Sequence, residues 1–126
     1  IETSDIEPQR LDKELNYDHQ NTKVIYLAGP LFFGNQEQII TKVNEVIKDC
    51  NNIIFSMRGV PSIDDSGIHE FIDVVELCRK HNVKILFAGV QKNVMKQFKR
   101  HRFVEFAHQD NFCWDVIKAL EIIEQK

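Results

Sequence analysis

Cysteine is scarce in this 126-residue chain: Cys50, Cys78 and Cys113 stand far apart, with no C-x-x-C pair, which argues against a zinc site. The count is odd and two of the three fall on apolar helix faces, so reduced, buried thiols of a cytosolic protein are expected. A basic excess is also missing. Sixteen Lys and Arg against 19 Asp and Glu leave a formal charge of -3, which gives no general attraction for nucleic acid. The longest apolar run, Val24 to Phe33, is broken by Gly29-Pro30 and falls short of the about 20 residues that a membrane span requires. Neither a Gly-x-Gly-x-x-Gly turn nor a P-loop is present, so no phosphate-cradling loop is expected. No signal peptide is visible in these residues. The chain opens at Ile1 rather than methionine, from which a piece of a longer protein is expected.

What remains is an ordinary globule. With 43% hydrophobic and 28% charged residues, one domain is expected, long enough to bury about two-thirds of its unfolded surface. Residues 1–22 are rich in charge from Glu2 to Glu14 and poor in apolar side chains. They are read as a connector, with a short strand near Leu15–Tyr17. Residues 23–126 are read as the folded domain. Lys23 to Ala28, Asn52 to Ser56 and Val83 to Ala88 are apolar runs of strand length. Helices are expected from a cap at Asn35 to about Asp49, over the Ile68, Phe71, Ile72, Val75 and Cys78 stripe to Lys80, and from Gln91 to about Arg100. Phe103–Phe106 alternates like a brief strand. Asp110 or Asn111 is expected to cap a last helix that begins at Phe112, with Trp114 at its core or rim. Strands alternating with helices point to parallel β–α–β units.

The densest chemistry lies in Met57-Arg58-Gly59-Val60-Pro61-Ser62-Ile63-Asp64-Asp65-Ser66-Gly67, where a strand crosses into a helix. Asp64, Asp65 and Ser66 suit the unpaired N–H groups and positive end of that helix. Two carboxylates could also serve as acid and base, or hold magnesium. Adjacent residues at a helix start diverge, however, and no nucleophile–base pair accompanies them, so a cap or a docking surface ranks above catalysis. The run Lys96, Lys99, Arg100, His101, Arg102, with Lys92 a turn earlier, is the strongest charge cluster. It is read as a solvated helix end or as a contact for anionic lipid or an acidic protein surface. His69 is read as solvent-facing, and the other histidines make no ligand spacing.

Asp-x-Ser-Gly after an apolar strand, preceded by Gly59-Val60-Pro61, resembles the signature of the STAS domain. That family covers bacterial anti-sigma-factor antagonists and the cytoplasmic domain of SulP (SLC26-type) anion transporters. Gly29-Pro30-Leu31-Phe32-Phe33-Gly34 is similar to a block of the transporter branch. So is Gly89-Val90-Gln91 with Val94 and Phe98-Lys99-Arg100. The blocks fall in the family's order, and the resemblance covers roughly Lys23 to Glu124. It implies an α/β fold with a mixed sheet of four to five strands and helices mainly on one face.

It also implies a function. In the antagonists the residue after the first aspartate is a phosphorylatable serine or threonine; here it is Asp65, which has no hydroxyl. Ser66 is read at the N-cap. The resemblance therefore favours a non-catalytic regulatory domain of an anion transporter of the sulfate, bicarbonate or dicarboxylate kind. It would sit at the cytoplasmic face of the membrane as part of an integral membrane protein. The alternative is a stand-alone antagonist-like signalling protein. Asp64, Asp65, Ser66 and Gly67, with Pro30, Phe32 and Gln91, are the expected regulatory and docking residues, and Lys96, Lys99, Arg100 and Arg102 the basic patch. Partners would be the transporter's own transmembrane domain, a second copy, or a cytosolic protein. No cofactor, metal or nucleic acid is expected. Nucleotide binding is disfavoured, because two aspartates at the helix start repel phosphate.

Overall fold

Three apolar runs build the centre of a sheet. In the computed structural model, which describes residues 2–6, 21–31 and 37–124, these are β2 (Thr22–Ala28), β3 (Asn52–Gly59) and β4 (Lys84–Ala88). They pair in parallel, in register from Val24 to Ile54 to Leu86. The edges are β1 (Glu2–Ile6), antiparallel to β2, and β5 (Phe112–Cys113), parallel to β4. The order is β1-β2-β3-β4-β5, a mixed α/β sheet as expected. The segment read as a connector thus supplies an edge strand. The strand expected near Leu15–Tyr17 and the cap at Asn35 lie outside the described residues.

Side-chain alternation along the strands divides the core in two. Ile25 and Leu27, Ile53, Phe55 and Met57, and Ile85 and Phe87 project to one face. There they meet α1 (Glu37–Val46), α2 (Asp65–Lys80), α3 (Lys92–Arg100) and α4 (Phe103–Ala107). Val24, Ile54, Leu86 and Ala88 project to the other, covered by Ala119 and Leu120 of α5 (Val116–Glu124). The larger core is aromatic. Phe71 meets Phe55 and Phe87 edge-on at 5.4 and 5.5 Å, and Phe98 lies 4.7 Å from Phe103. Fully burying each ring contributes roughly 1.5–3 kcal/mol, with a further increment of about 0.5–1.5 kcal/mol for well-oriented ring pairs.

The C-terminal third departs from expectation in three places. Phe103–Ala107 is a helix, not a strand. Arg102 takes a left-handed conformation (φ 60°), which turns the chain back so that Phe103 packs on Phe98. Phe103 and Ala107, at i and i+4, are then both buried. Phe112 and Cys113 are sheet, not helix, because Phe112 stacks on Phe87 at 5.0 Å. The last helix therefore starts later and is capped by Asp115, whose Oδ1 accepts from the Lys118 N–H at 2.8 Å. Asn111 instead donates to the Ala107 carbonyl at 2.8 Å, closing α4. Trp114, left between strand and helix, is 79% exposed rather than core or rim.

Candidate functional site

The loops that leave β2, β3 and β4 gather at the C-terminal end of the parallel strands, where such sheets collect ligands and partners. Gly29, at φ 86°, bends the chain out of β2. The two first loops then run side by side. Gly29 N donates to Gly59 O (2.9 Å), Leu31 N to Ser62 O (3.0 Å), and Asp64 N to Leu31 O (3.2 Å), with a parallel bridge between Leu31 and Ile63. Pro30 is exposed on this rim. Phe32, the other aromatic expected here, lies outside the described residues.

The aspartate-rich turn has a divided chemistry. Asp64 is the N-cap of α2, and its Oδ1 accepts from Gly67 N at 3.0 Å. Ser66 is therefore the second residue of the helix and not its cap. Gly67 is fixed by space: a Cβ there would sit 2.7 Å from Ile63 Cγ1 and 2.8 Å from the Leu31 carbonyl oxygen. Asp65 points elsewhere, outward to His101, whose Nε2 lies 3.0 Å from Asp65 Oδ1. The carboxylates do not converge, which removes the geometry for shared acid–base work. Among the described residues no group of three His, Cys, Asp or Glu side chains could hold a metal, and no helix is long and apolar enough to cross a membrane. His69 is exposed.

The basic helix belongs to the same surface. Gln91, at the N-cap of α3, donates from Nε2 to the Arg58 carbonyl at 2.7 Å, and Asn93 donates from Nδ2 to the Pro61 carbonyl at 3.1 Å. With the His101–Asp65 pair at its far end, α3 is tied along the signature loop at three points. Lys92, Lys96, Lys99, Arg100 and Arg102 are all exposed. Two grooves flank Arg58. One, of about 670 Å³, runs between Trp114 and α3 over Val90, Met95 and Phe112. The other, of about 560 Å³, lies between β2 and the start of α5, beside Tyr26, Ser56 and Asp115.

Two structural residues escaped the sequence reading. Glu70, on the buried stripe of α2, is 7% exposed and accepts from the N–H groups of Ile39 and Ile40, each at 3.0 Å. It caps the start of α1 from a neighbouring helix, where a carboxylate also meets the positive end of the dipole. A charged residue within the Gly67–Ile68–Phe71–Val74 stripe was the available signal. Arg79 clamps α4: its Nη2 donates to the Phe106 carbonyl and its guanidinium lies 4.8 Å from the Phe106 ring centre. All three cysteines are free thiols, with Cys50 and Cys78 buried and Cys113 half-buried. Burial, then the neighbouring Cys50, pushes Cys78 up to about 12. Burial, then Asp115, pushes Cys113 up to about 11.

Residues 15–115 match the STAS domain family. A probable sulfate permease of Schizosaccharomyces pombe is 23% identical over 117 residues, covering 79% of this chain and 18% of the permease. The chain thus spans about a fifth of that relative. A sulfate transporter family protein from Wolinella succinogenes superposes with a TM-score of 0.76 at 25% identity, covering 82% of this chain and 85% of the other. The anti-sigma factor antagonist SpoIIAA in its unphosphorylated form superposes with a TM-score of 0.70 at 18% identity, covering 85% and 91%.

Proposed function

The chain belongs to the STAS domain family, and on that premise we propose that it is the cytoplasmic, non-catalytic regulatory domain of a SulP-type anion transporter. The signature end of the sheet is its docking surface toward the transmembrane part, a second copy or a cytosolic partner. The observation that carries this reading is the division of labour at the turn. Asp64 and Gly67 are committed to the helix start. Asp65 stands where the antagonist branch has a hydroxyl, and it holds a permanent negative charge toward solvent and His101. A fixed charge suits docking; it cannot be switched by a kinase. Similarity to a permease and to a sulfate transporter family protein supports the branch.

The test is anion uptake by the full-length protein carrying Asp65→Lys. Asp65 is exposed, so the variant should fold, and uptake should fall several-fold. Unchanged uptake would overturn the docking role. The fold shared with SpoIIAA favours one rival, a stand-alone antagonist-like signalling protein. It requires stoichiometric phosphate on Ser66 after incubation with partner-switching kinases.

A further inference from the structure

We infer that the outer face of α3, together with Trp114 and Arg58, binds the anionic headgroups of a lipid bilayer. This deepens the docking reading and rests on the membrane setting proposed there.

Charge comes first. The nine residues of α3 include Lys92, Lys96, Lys99 and Arg100 and no acidic side chain, and Arg102 follows. At 3.6 residues per turn, Lys92, Lys96 and Lys99 fall within about 60° of arc, opposite the buried Val94 and Phe98. Like charges at i, i+4 and i, i+3 repel and weaken a helix. Among the described residues no ion pair engages any of these cations, and the nearby Asp65 is taken by His101. A helix that keeps such a stripe, held by three tethers, presents it to an anion outside the chain.

The second observation is apolar and independent. Trp114 is the exposed large hydrophobic residue of the described chain. It lines the 670 Å³ groove together with Lys92, Met95 and Arg58. An indole beside cations is the pairing found at membrane–water interfaces, where the ring lies at headgroup level. The lysine stems can lie along apolar surface while their ammonium groups reach phosphate. On the helix itself three lysines and Arg100 are spread along about 12 Å, not gathered as an arginine fork aimed at one carboxylate. That spread favours a bilayer over an acidic peptide.

Trp114 is the chain's single tryptophan, so its emission reports the contact directly. The chain is titrated with phosphatidylcholine vesicles containing about 30 mol% phosphatidylserine at about 0.1 M salt, against pure phosphatidylcholine. The expected result is a blue shift and about 100-fold tighter binding to the anionic vesicles. Lys96→Glu with Lys99→Glu should abolish both, and Trp114→Ala should weaken sedimentation with vesicles several-fold. All three positions are exposed, and circular dichroism checks the fold. Equal binding to neutral vesicles, no binding to either, or a charge-reversed variant that binds normally would overturn the inference. So would capture by poly-glutamate without vesicle binding, which would assign the stripe to an acidic protein surface. The vesicles contain no transporter: a failure here beside lost uptake in Asp65→Lys overturns the lipid surface alone.

Discussion

Gly67→Ala should destabilise the domain, against the ordinary expectation for a glycine inside a helix. Gly67 is the third residue of α2. Helix propensity alone would make alanine better there by about 1 kcal/mol. The space says otherwise. The new Cβ would meet Ile63 Cγ1 at 2.7 Å, the Leu31 carbonyl oxygen at 2.8 Å and Ile63 Cδ1 at 3.2 Å. Neither neighbour yields cheaply, because Leu31 is 2% and Ile63 6% exposed. The Leu31 oxygen also accepts the Asp64 N–H. Overpacking of this kind costs about 1–3 kcal/mol, and straining that hydrogen bond about another 1 kcal/mol. The net loss is about 2 kcal/mol after the propensity gain. In urea, with a slope of roughly 1.5 kcal/mol per molar for a domain of this size, the unfolding midpoint should drop by about 1 M. A midpoint that rises would refute the reasoning, since it would mean the α2 start is not clamped between the two loops.

Two further outcomes follow from buried groups. Glu70→Ala should cost about 2 kcal/mol in urea unfolding by stranding one buried and one partly buried N–H group, and the Ile39 and Ile40 amides should exchange hydrogen faster; full protection in the variant would deny the cap. Cys78 and Cys113 ionise well above the ordinary value of 9.0, so the unfolded chain releases these protons at lower pH than the folded one. Their contribution to stability is therefore complete below about pH 9 and lost as pH rises through about 11 to 12. Denaturation midpoints measured from pH 8 upward should fall, and less so in Cys78→Ala after correction for the lost side chain.

The parts of the fold legible in the chain are those where one periodicity dominates. The runs at Ile53–Met57 and Ile85–Ala88 are covered on both faces and therefore nearly all apolar. The α2 stripe from Ile68 to Cys78 has only the helical period. Phe103-Val104-Glu105-Phe106 fits a period of 2 or of 3.6 in so short a stretch, and only the turn at Arg102 and the packing on Phe98 decide it. Phe112–Cys113 becomes a strand through one long-range stack on Phe87, which no local pattern encodes. Glu2–Ile6 is polar and joins the sheet at its edge, so it carries no apolar alternation. At the site, Asp64, Asp65 and Gly67 were legible as types. Which of the acidic and hydroxyl residues caps the helix was not, because Asp64 and Ser66 both suit the position. The three tethers from α3 to the signature loop join residues more than thirty apart, and they turn an apparent solvated helix end into part of the same surface.

The most direct test of the transporter reading is an immunoblot of fractionated native cells, with an antibody raised against this 14.8 kDa chain. The account predicts a band several times heavier than the chain, confined to the membrane fraction. A soluble band near the mass of the chain itself would contradict it and support the stand-alone signalling protein.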